Sequence, residues 1–456
     1  MNKIVILPFI IALFFPVNIF LGKLNSARSE FHLISAVPLE SAPPELVLAT
    51  TALGGFRGII VDYLWIRAVE LQRSGKYFEL VQLYDWIGKM EPRMEIVWAH
   101  NAWNMAYNIS VELPSAEERW MWIEHGIELL RDEGLKYNPG SSMLYRELAW
   151  IYLHKISKLS DTFHWYYKMK IFEETERVLG KNCSLLGNLP NDTETADRIR
   201  EELKFEPDRM LKLMEIYGPL DWRLAQSHAI YWITKGMEVS EQPLLNHDRL
   251  VLHAIISLCE SGRFVRTKSG FLLAEPDFRF LDTADRIYSE LAEKYGHDKG
   301  TASGFASAHE NFLQSAVMML YTYGENKGAL EYYRRLRKLK PLHYRALMED
   351  YIFARVRENI SEASPLEVSA LIHGTLKQAL MSLSVGDDEK AAGLENLAKL
   401  IWKKYMEKFG DNENFKLPPF DVIRNSVVER ALEGDFPQSL LDHLRERLGY
   451  GSETAE

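Results

Sequence analysis

Three groups of side chains are spaced so that they could do chemistry. In the run HNAWNMAYNIS, Asn101, Asn104 and Asn108 recur at intervals of three and four, which puts three amides on one helical stripe. Each amide offers a carbonyl acceptor and two N–H donors. Asparagine is also a poor helix former, so three in one helix need a reason. The second group is Arg223, His228 and Trp232 in DWRLAQSHAIYW: a guanidinium, an imidazole and an indole within twelve residues. A lone histidine in an apolar helix is more often hydrogen-bonded core than catalyst. The third is Arg57, set among Gly54, Gly55 and Gly58 in ATTALGGFRGIIVDYLWIR. Glycines there suit close helix–helix contact. A phosphate-cradling loop needs a preceding strand and a Gly-Lys-Ser/Thr ending, and neither is present. Asp62 is placed to pair with Arg57 or Arg67.

Several reaction classes leave no trace. Gly-x-Ser-x-Gly and His-Glu-x-x-His do not occur. His247 and His253 are six apart, on different faces of a helix, so they do not form a metal pair. Two cysteines, Cys183 and Cys259, exclude a disulfide framework and a four-thiolate zinc site, and leave one bridge or two buried thiols. The expectation is therefore no catalytic residue, no metal and no cofactor. A net charge of −10 does not advertise nucleic acid, which needs clustered Lys and Arg. The one basic run, Tyr332–Lys340 (YYRRLRKLK), reads as the solvated face of a helix.

The elements that must carry these groups are helical. Strand alternation is scarce, while apolar residues recur at three and four, as in Leu64, Ala68, Leu71 and in Leu80, Leu83, Tyr84, Ile87. At 456 residues the chain is too long for one core and must be several domains or a stacked array. Two stretches break the period: Leu185–Asp197, polar and turn-rich, reads as a loop, and Gly262–Asp277 as an extended loop or small hairpin. The tail from Gly449 reads as frayed. At the other end, Ile4–Leu21 is a charge-free apolar run of 18 residues, just long enough to cross a bilayer. It exceeds a signal-peptide core and no clear A-x-A cleavage site follows, which favours an uncleaved anchor. Pro8, Pro16 and Asn18 weaken the helix and leave a removed signal peptide as the alternative; a short N-tail predicts export of the body.

Val61–Met94 resembles the tetratricopeptide repeat (TPR). Leu64, Ala68, Leu71, Gly75, Tyr77, Leu80, Tyr84 and Pro92 fall on its landmarks, although Leu80 replaces a small residue and Arg67 an apolar one. Glu310–His343 repeats the pattern with Leu313, Ala316, Val317, Leu320, Gly324, Ala329, Tyr333, Leu336 and Pro341. Looser copies occupy Glu95–Ser141, Ser142–Gly180, Asp221–Ser240 and Ser364–Phe409, the last with its turn at Gly386. Hairpins of this kind bury their apolar faces only by stacking on neighbours.

The resemblance implies an all-α fold: a right-handed superhelical α-solenoid of TPR-like hairpins behind an N-terminal transmembrane helix, as in bacterial membrane-anchored TPR-like proteins. The organisation expected is an anchor at 1–25, a spacer at 26–44, TPR-like hairpins at 45–180, an atypical helical middle at 181–300 and a TPR-like region at 301–456. It also implies a scaffold or adaptor that holds a protein or peptide on its concave face, with Asn101, Asn104 and Asn108 gripping the ligand backbone. Arg57, Arg223, His228 and Trp232 are further candidates for partner contact. The expected location is a single-pass membrane protein with its bulk in the periplasm, without nucleic acid. Two rivals stand beside this reading: a structural subunit of an envelope complex, and an enzyme with its site in 221–277.

Overall fold

The structure, a computed structural model, describes residues 57–158, 160–180, 193–266, 272–323, 325–358, 365–409, 416–432, 436 and 438–449, with positions 20 and 23. Apart from Phe20, the apolar run Ile4–Leu21 lies outside the described residues, as do Gly54, Gly55, Cys183 and Gly324. Among the described residues, no helix is long and apolar enough to cross a membrane. The described residues are all-α except for a hairpin of β1 (Arg263–Arg266) and β2 (Leu272–Glu275), antiparallel with Arg263 opposite Glu275. That hairpin falls in the stretch where the helical period breaks.

Two compact units make up the chain. The first takes in the described residues up to Asn101 together with Lys136–Pro139, and the second Ala102–Leu135 and the described residues from Gly140 onward. In the first unit α1 (Arg57–Arg73) and α2 (Tyr77–Met90) form a hairpin. Its turn is Gly75, whose φ of +70° a side chain would strain. Ala68, Leu71, Leu80, Leu83, Tyr84 and Ile87 are buried between the two helices. Pro92 follows the end of α2, and its carbonyl accepts from both Trp98 Nε1 and Asn138 Nδ2 at 2.8 Å. Arg67 pairs at 2.7 Å with Glu70 rather than with Asp62.

In the second unit the helices recur as hairpins. The chain enters it along α3 (Glu95–Trp103), which continues through a π-helical stretch, Asn104–Ile109, into Ser110–Glu112. Next comes α4 (Ala116–Glu128), extended through a second π-helical stretch, Leu129–Gly134. Ser115 caps α4: it accepts from Glu118 N–H at 3.2 Å, and its hydroxyl donates to the Glu118 carboxylate at 2.9 Å. Gly126 of α4 lets this helix approach the Ala102 carbonyl, which an added Cβ would meet at 3.0 Å. The next pair is α5 (Ser142–Trp150), continued by π-helical Ile151–Ile156, and α6 (His164–Leu179).

Beyond these come α7 (Thr193–Arg198, continuing as π-helical Ile199–Leu203), α8 (Pro207–Tyr217), α9 (Ala225–Glu238) and α10 (Leu245–Ser261). The loop expected over Leu185–Asp197 is corrected at its end: Thr193–Asp197 is already helical, and the rest lies outside the described residues. Glu194 in its first turn suits a helix start, where the unpaired N–H groups favour negative charge.

After the β-hairpin come α11 (Leu281–Lys294), α12 (Lys299–Thr322) and α13 (Asn326–Leu339). In α12 and α13 the landmark residues Leu313, Ala316, Val317, Leu320, Ala329, Tyr333 and Leu336 are all buried. Arg334, Arg337 and Lys338 stay exposed, and Arg335 reaches Asp282 and Asp285, so the basic run is an outward face. Then α14 (Met348–Glu358), α15 (Pro365–Val385), α16 (Asp388–Phe409), α17 (Phe420–Arg430) and α18 (Gln438–Arg447) close the chain. Gly386, at φ +89°, makes the expected turn between α15 and α16. Val368, Ile372, Leu376, Ala398, Ile401, Phe420 and Leu444 share one core there.

Candidate functional site

Most of the residues singled out in the sequence are absorbed by packing. Asn101, in the first unit, is only 2% exposed, and its Oδ1 meets no hydrogen-bond partner among the described residues. In the second unit Asn104 is equally buried, and its Oδ1 accepts from Nδ2 of half-buried Asn108 at 2.9 Å. Burial therefore leaves only Asn108 of the three open to solvent. Arg223 forks onto Asp221 at 2.9 and 2.7 Å, and its guanidinium lies 4.7 Å over the Phe172 ring.

His228, 3% exposed, has Nε2 at 2.8 Å from the Trp222 carbonyl, so Nε2–H donates and Nδ1 carries the lone pair. Burial brings its pKa down to about 4. Trp232 is buried against Tyr145, Phe205 and Tyr231. Arg57 opens α1, and its side chain lies outside the described residues. Cys259 is buried and unbridged, and burial raises its thiol pKa, so its thiolate is suppressed.

An open groove lies elsewhere in the second unit. It holds about 320 Å³ and is lined from three helices. The α3 helix contributes Trp103, α5 contributes Arg146, Glu147 and Trp150, and α10 contributes Asn246, Arg249, Leu250 and His253. The α10 residues are spaced at three and four, hence on one helical face. His247 Nε2 binds the Ser142 carbonyl at 2.9 Å and ties α10 to α5.

Both tryptophans are held by the same local device. Trp103 stacks on Tyr107 four residues later (5.6 Å, 23°), and Trp150 stacks on His154, also four later (4.7 Å, 8°). Each is the last residue before a π-helical stretch, Asn104–Ile109 and Ile151–Ile156. The Tyr107 hydroxyl lies 3.3 Å from His154 Nδ1, a pair separated by 47 residues. Extra-residue helical turns of this kind re-aim side chains and concentrate at functional sites.

A buried ionic cluster lies against the Tyr107 ring. Lys155, 1% exposed, donates to Asp161 Oδ2 at 2.8 Å. Tyr167 donates to the same oxygen at 3.0 Å, and Phe163 N–H to Oδ1 at 2.8 Å. Burial lowers the Lys155 pKa against the pull of Asp161. For Asp161 burial alone would raise the pKa, but the bonds from Lys155 and Phe163 outweigh it and hold it below the usual carboxylate range. Lys155 also sits 5.5 Å over the Tyr107 ring, so the cluster supports the stack that carries Trp103.

The sequence carried a signal for this arrangement that the landmark pattern missed. AWNMAYNIS at Ala102–Ser110 and AWIYLHKIS at Ala149–Ser157 match at Ala, Trp, Ile and Ser, with an aromatic ring four after Trp, all at the offset of 47 that separates Tyr107 from His154. Ser110 and Ser157 play one part, each donating to the carbonyl four residues back, at 2.6 and 2.5 Å.

A second cavity of about 470 Å³ is rich in carboxylates, with Asp277, Glu325, Asp387 and Glu389, and Arg279 is closed onto Asp277 at 2.8 and 2.5 Å. Among the described residues no group of three His, Cys, Asp or Glu side chains could hold a metal ion. The first groove offers two indole platforms, amide and imidazole groups, and the Arg249 guanidinium. No family model, curated protein or solved structure matches this chain.

Proposed function

We propose that this chain is a membrane-anchored TPR-like scaffold that holds an extended protein or peptide segment. In this reading its hairpins continue as a right-handed superhelical solenoid, Ile4–Leu21 tethers it as a single-pass anchor, and its bulk lies in the periplasm. The observation that carries the binding role is the recurrence of one Trp-bearing device in two successive hairpins, with both indoles lining one groove. Aromatic side chains with one ring face already stacked present rigid contact area at little entropic cost. Burial of Ala68, Leu71, Leu80 and Tyr84 in α1/α2 and of the landmark residues in α12/α13 supports the repeat reading.

A photoreactive residue in place of Trp103 tests the role. It should crosslink one partner in native membranes, the crosslink should vanish with Trp150→Ala, and the same residue at exposed Val422 should give none. Equal crosslinking from both positions would overturn the reading. An alkaline wash tests the tether: the full-length chain should stay with the membranes. Its release into the supernatant would defeat the anchor.

One observation favours a permanently bound envelope subunit as the second reading. Ile59, Tyr63 and Ile66 form a stripe on α1 that is 65, 67 and 71% exposed, although the opposite face of the helix is core. Exposed apolar stripes of this kind mark interaction surfaces. Co-purification of a fixed stoichiometric partner, lost with Tyr63→Asp, would favour the subunit over the transient binder.

A further inference from the structure

We propose that the groove of Trp103, Trp150 and Arg249 takes an extended acidic segment, with an apolar side chain on the indoles and a carboxylate on Arg249. This rests on the scaffold reading above and adds the chemistry of the ligand. The sign follows from which charges in the groove are already neutralised. Arg146 is closed onto Oε1 of Glu147 in the groove wall, at 3.1 and 2.5 Å, so that pair carries no net charge. Arg249 makes no ion pair among the described residues. Its neighbour in sequence, Asp248, is taken by Lys294 and Tyr295, both at 2.5 Å. The ring of Phe305 lies 5.7 Å from the Arg249 guanidinium and gives it an apolar backing.

The remaining ionisable group of the lining, His253, is lowered in pKa by partial desolvation between the groove walls and by positive charge from Lys158 and Arg249, which favours its neutral form. The groove is thus a locally positive site on a chain of net charge −10. A carboxylate would gain a bidentate partner there, and Asn246, one turn before Arg249, adds an amide on the same face. A lysine or arginine would face the Arg249 guanidinium, and the one carboxylate of the lining, Glu147, already carries Arg146. The indole faces supply what charge does not: contact area for an apolar side chain next to the acidic one.

The test uses the full-length chain in nanodiscs and fluorescein-labelled peptides of ten residues, alternating Leu with Glu, with Lys or with Gln, read by fluorescence anisotropy. The Glu peptide should bind about tenfold to a hundredfold more tightly than the Gln peptide, the scale of one charge-assisted contact. Repulsion from the overall negative chain would push the opposite way, so such a preference must come from the groove. Arg249→Gln should remove the preference of the Glu peptide over the Gln peptide, whereas Trp150→Ala should weaken both.

If the Lys peptide binds as well as the Glu peptide, or Arg249→Gln changes nothing while Trp150→Ala still weakens binding, the acidic class is wrong and the groove reading survives. If no peptide binds and Trp150→Ala leaves the Trp103 crosslink intact, both fail together.

Discussion

The Lys155–Asp161 pair offers the most direct test of how the groove is supported. Its side chains are only 2% and 9% exposed at a separation of 2.8 Å, so neither charge has water to fall back on. Asp161→Asn keeps the shape and leaves the ammonium uncompensated, and Lys155→Met leaves the carboxylate with Tyr167, Phe163 and, at 3.9 Å, the Arg119 guanidinium. Removing one partner of a buried pair costs about 3–5 kcal/mol. The double variant leaves neither member of the pair unmatched, so it should cost less than the two single costs added, by about 1–3 kcal/mol.

Urea unfolding followed by far-UV circular dichroism gives all four stabilities. The Trp103 photocrosslink reports the same variants functionally, since Lys155 backs the Tyr107 ring. The pair also has an acid signature. Asp161 is held below its ordinary value, so its contribution is complete above the unfolded pKa of about 3.9 and is lost as pH falls through the lower folded value. Asp161→Asn should flatten that acid limb. Single variants costing under about 1 kcal/mol, or costs that add within about 0.5 kcal/mol, would refute the picture of a mutually dependent buried pair.

Three further outcomes are expected. His228 is neutral at pH 7 with a folded pKa near 4, so the unfolded chain takes up its proton first; stability complete above pH 6.5 should fall by up to about 3 kcal/mol toward pH 4, and His228→Gln should shrink that loss in urea midpoints measured at pH 7.5 and 5. Gly236→Ala would place a Cβ 2.6 Å from that of Tyr145, pushing α9 off α5 at a cost of about 1–3 kcal/mol, while Gly304→Ala, on an open helical face, should gain about 0.5–1 kcal/mol; equal melting temperatures for the two would contradict the packing. Asn104→Ala with Asn108→Ala removes a pair whose first member is buried, so stability should drop by about 1–3 kcal/mol, and a double variant of unchanged melting temperature would show that the pair does not hold the helix.

Local periodicity determined much of this protein. The three- and four-residue recurrence in Leu80, Leu83, Tyr84 and Ile87 is the buried face of α2 because helical geometry alone puts those residues on one side. Gly75 and Gly386 read as turns because positive φ excludes most other residues. Composition and missing motifs likewise argued for binding rather than chemistry.

The roles of polar side chains were decided in three dimensions. Spacing put Asn101, Asn104 and Asn108 on one stripe, but whether a stripe faces a ligand or a neighbouring helix depends on what packs against it. The same holds for His228, which Phe205, Tyr152 and the Trp222 carbonyl enclose from three separate elements. The groove needed the tertiary structure for a different reason. Trp103, Trp150 and Arg249 lie far apart in sequence, and they converge because α10 is tied to α5 through His247 while the π-helical turns after each tryptophan orient its stack. The repeated AW…IS run marked two of those helices, but only the fold shows that they share a groove.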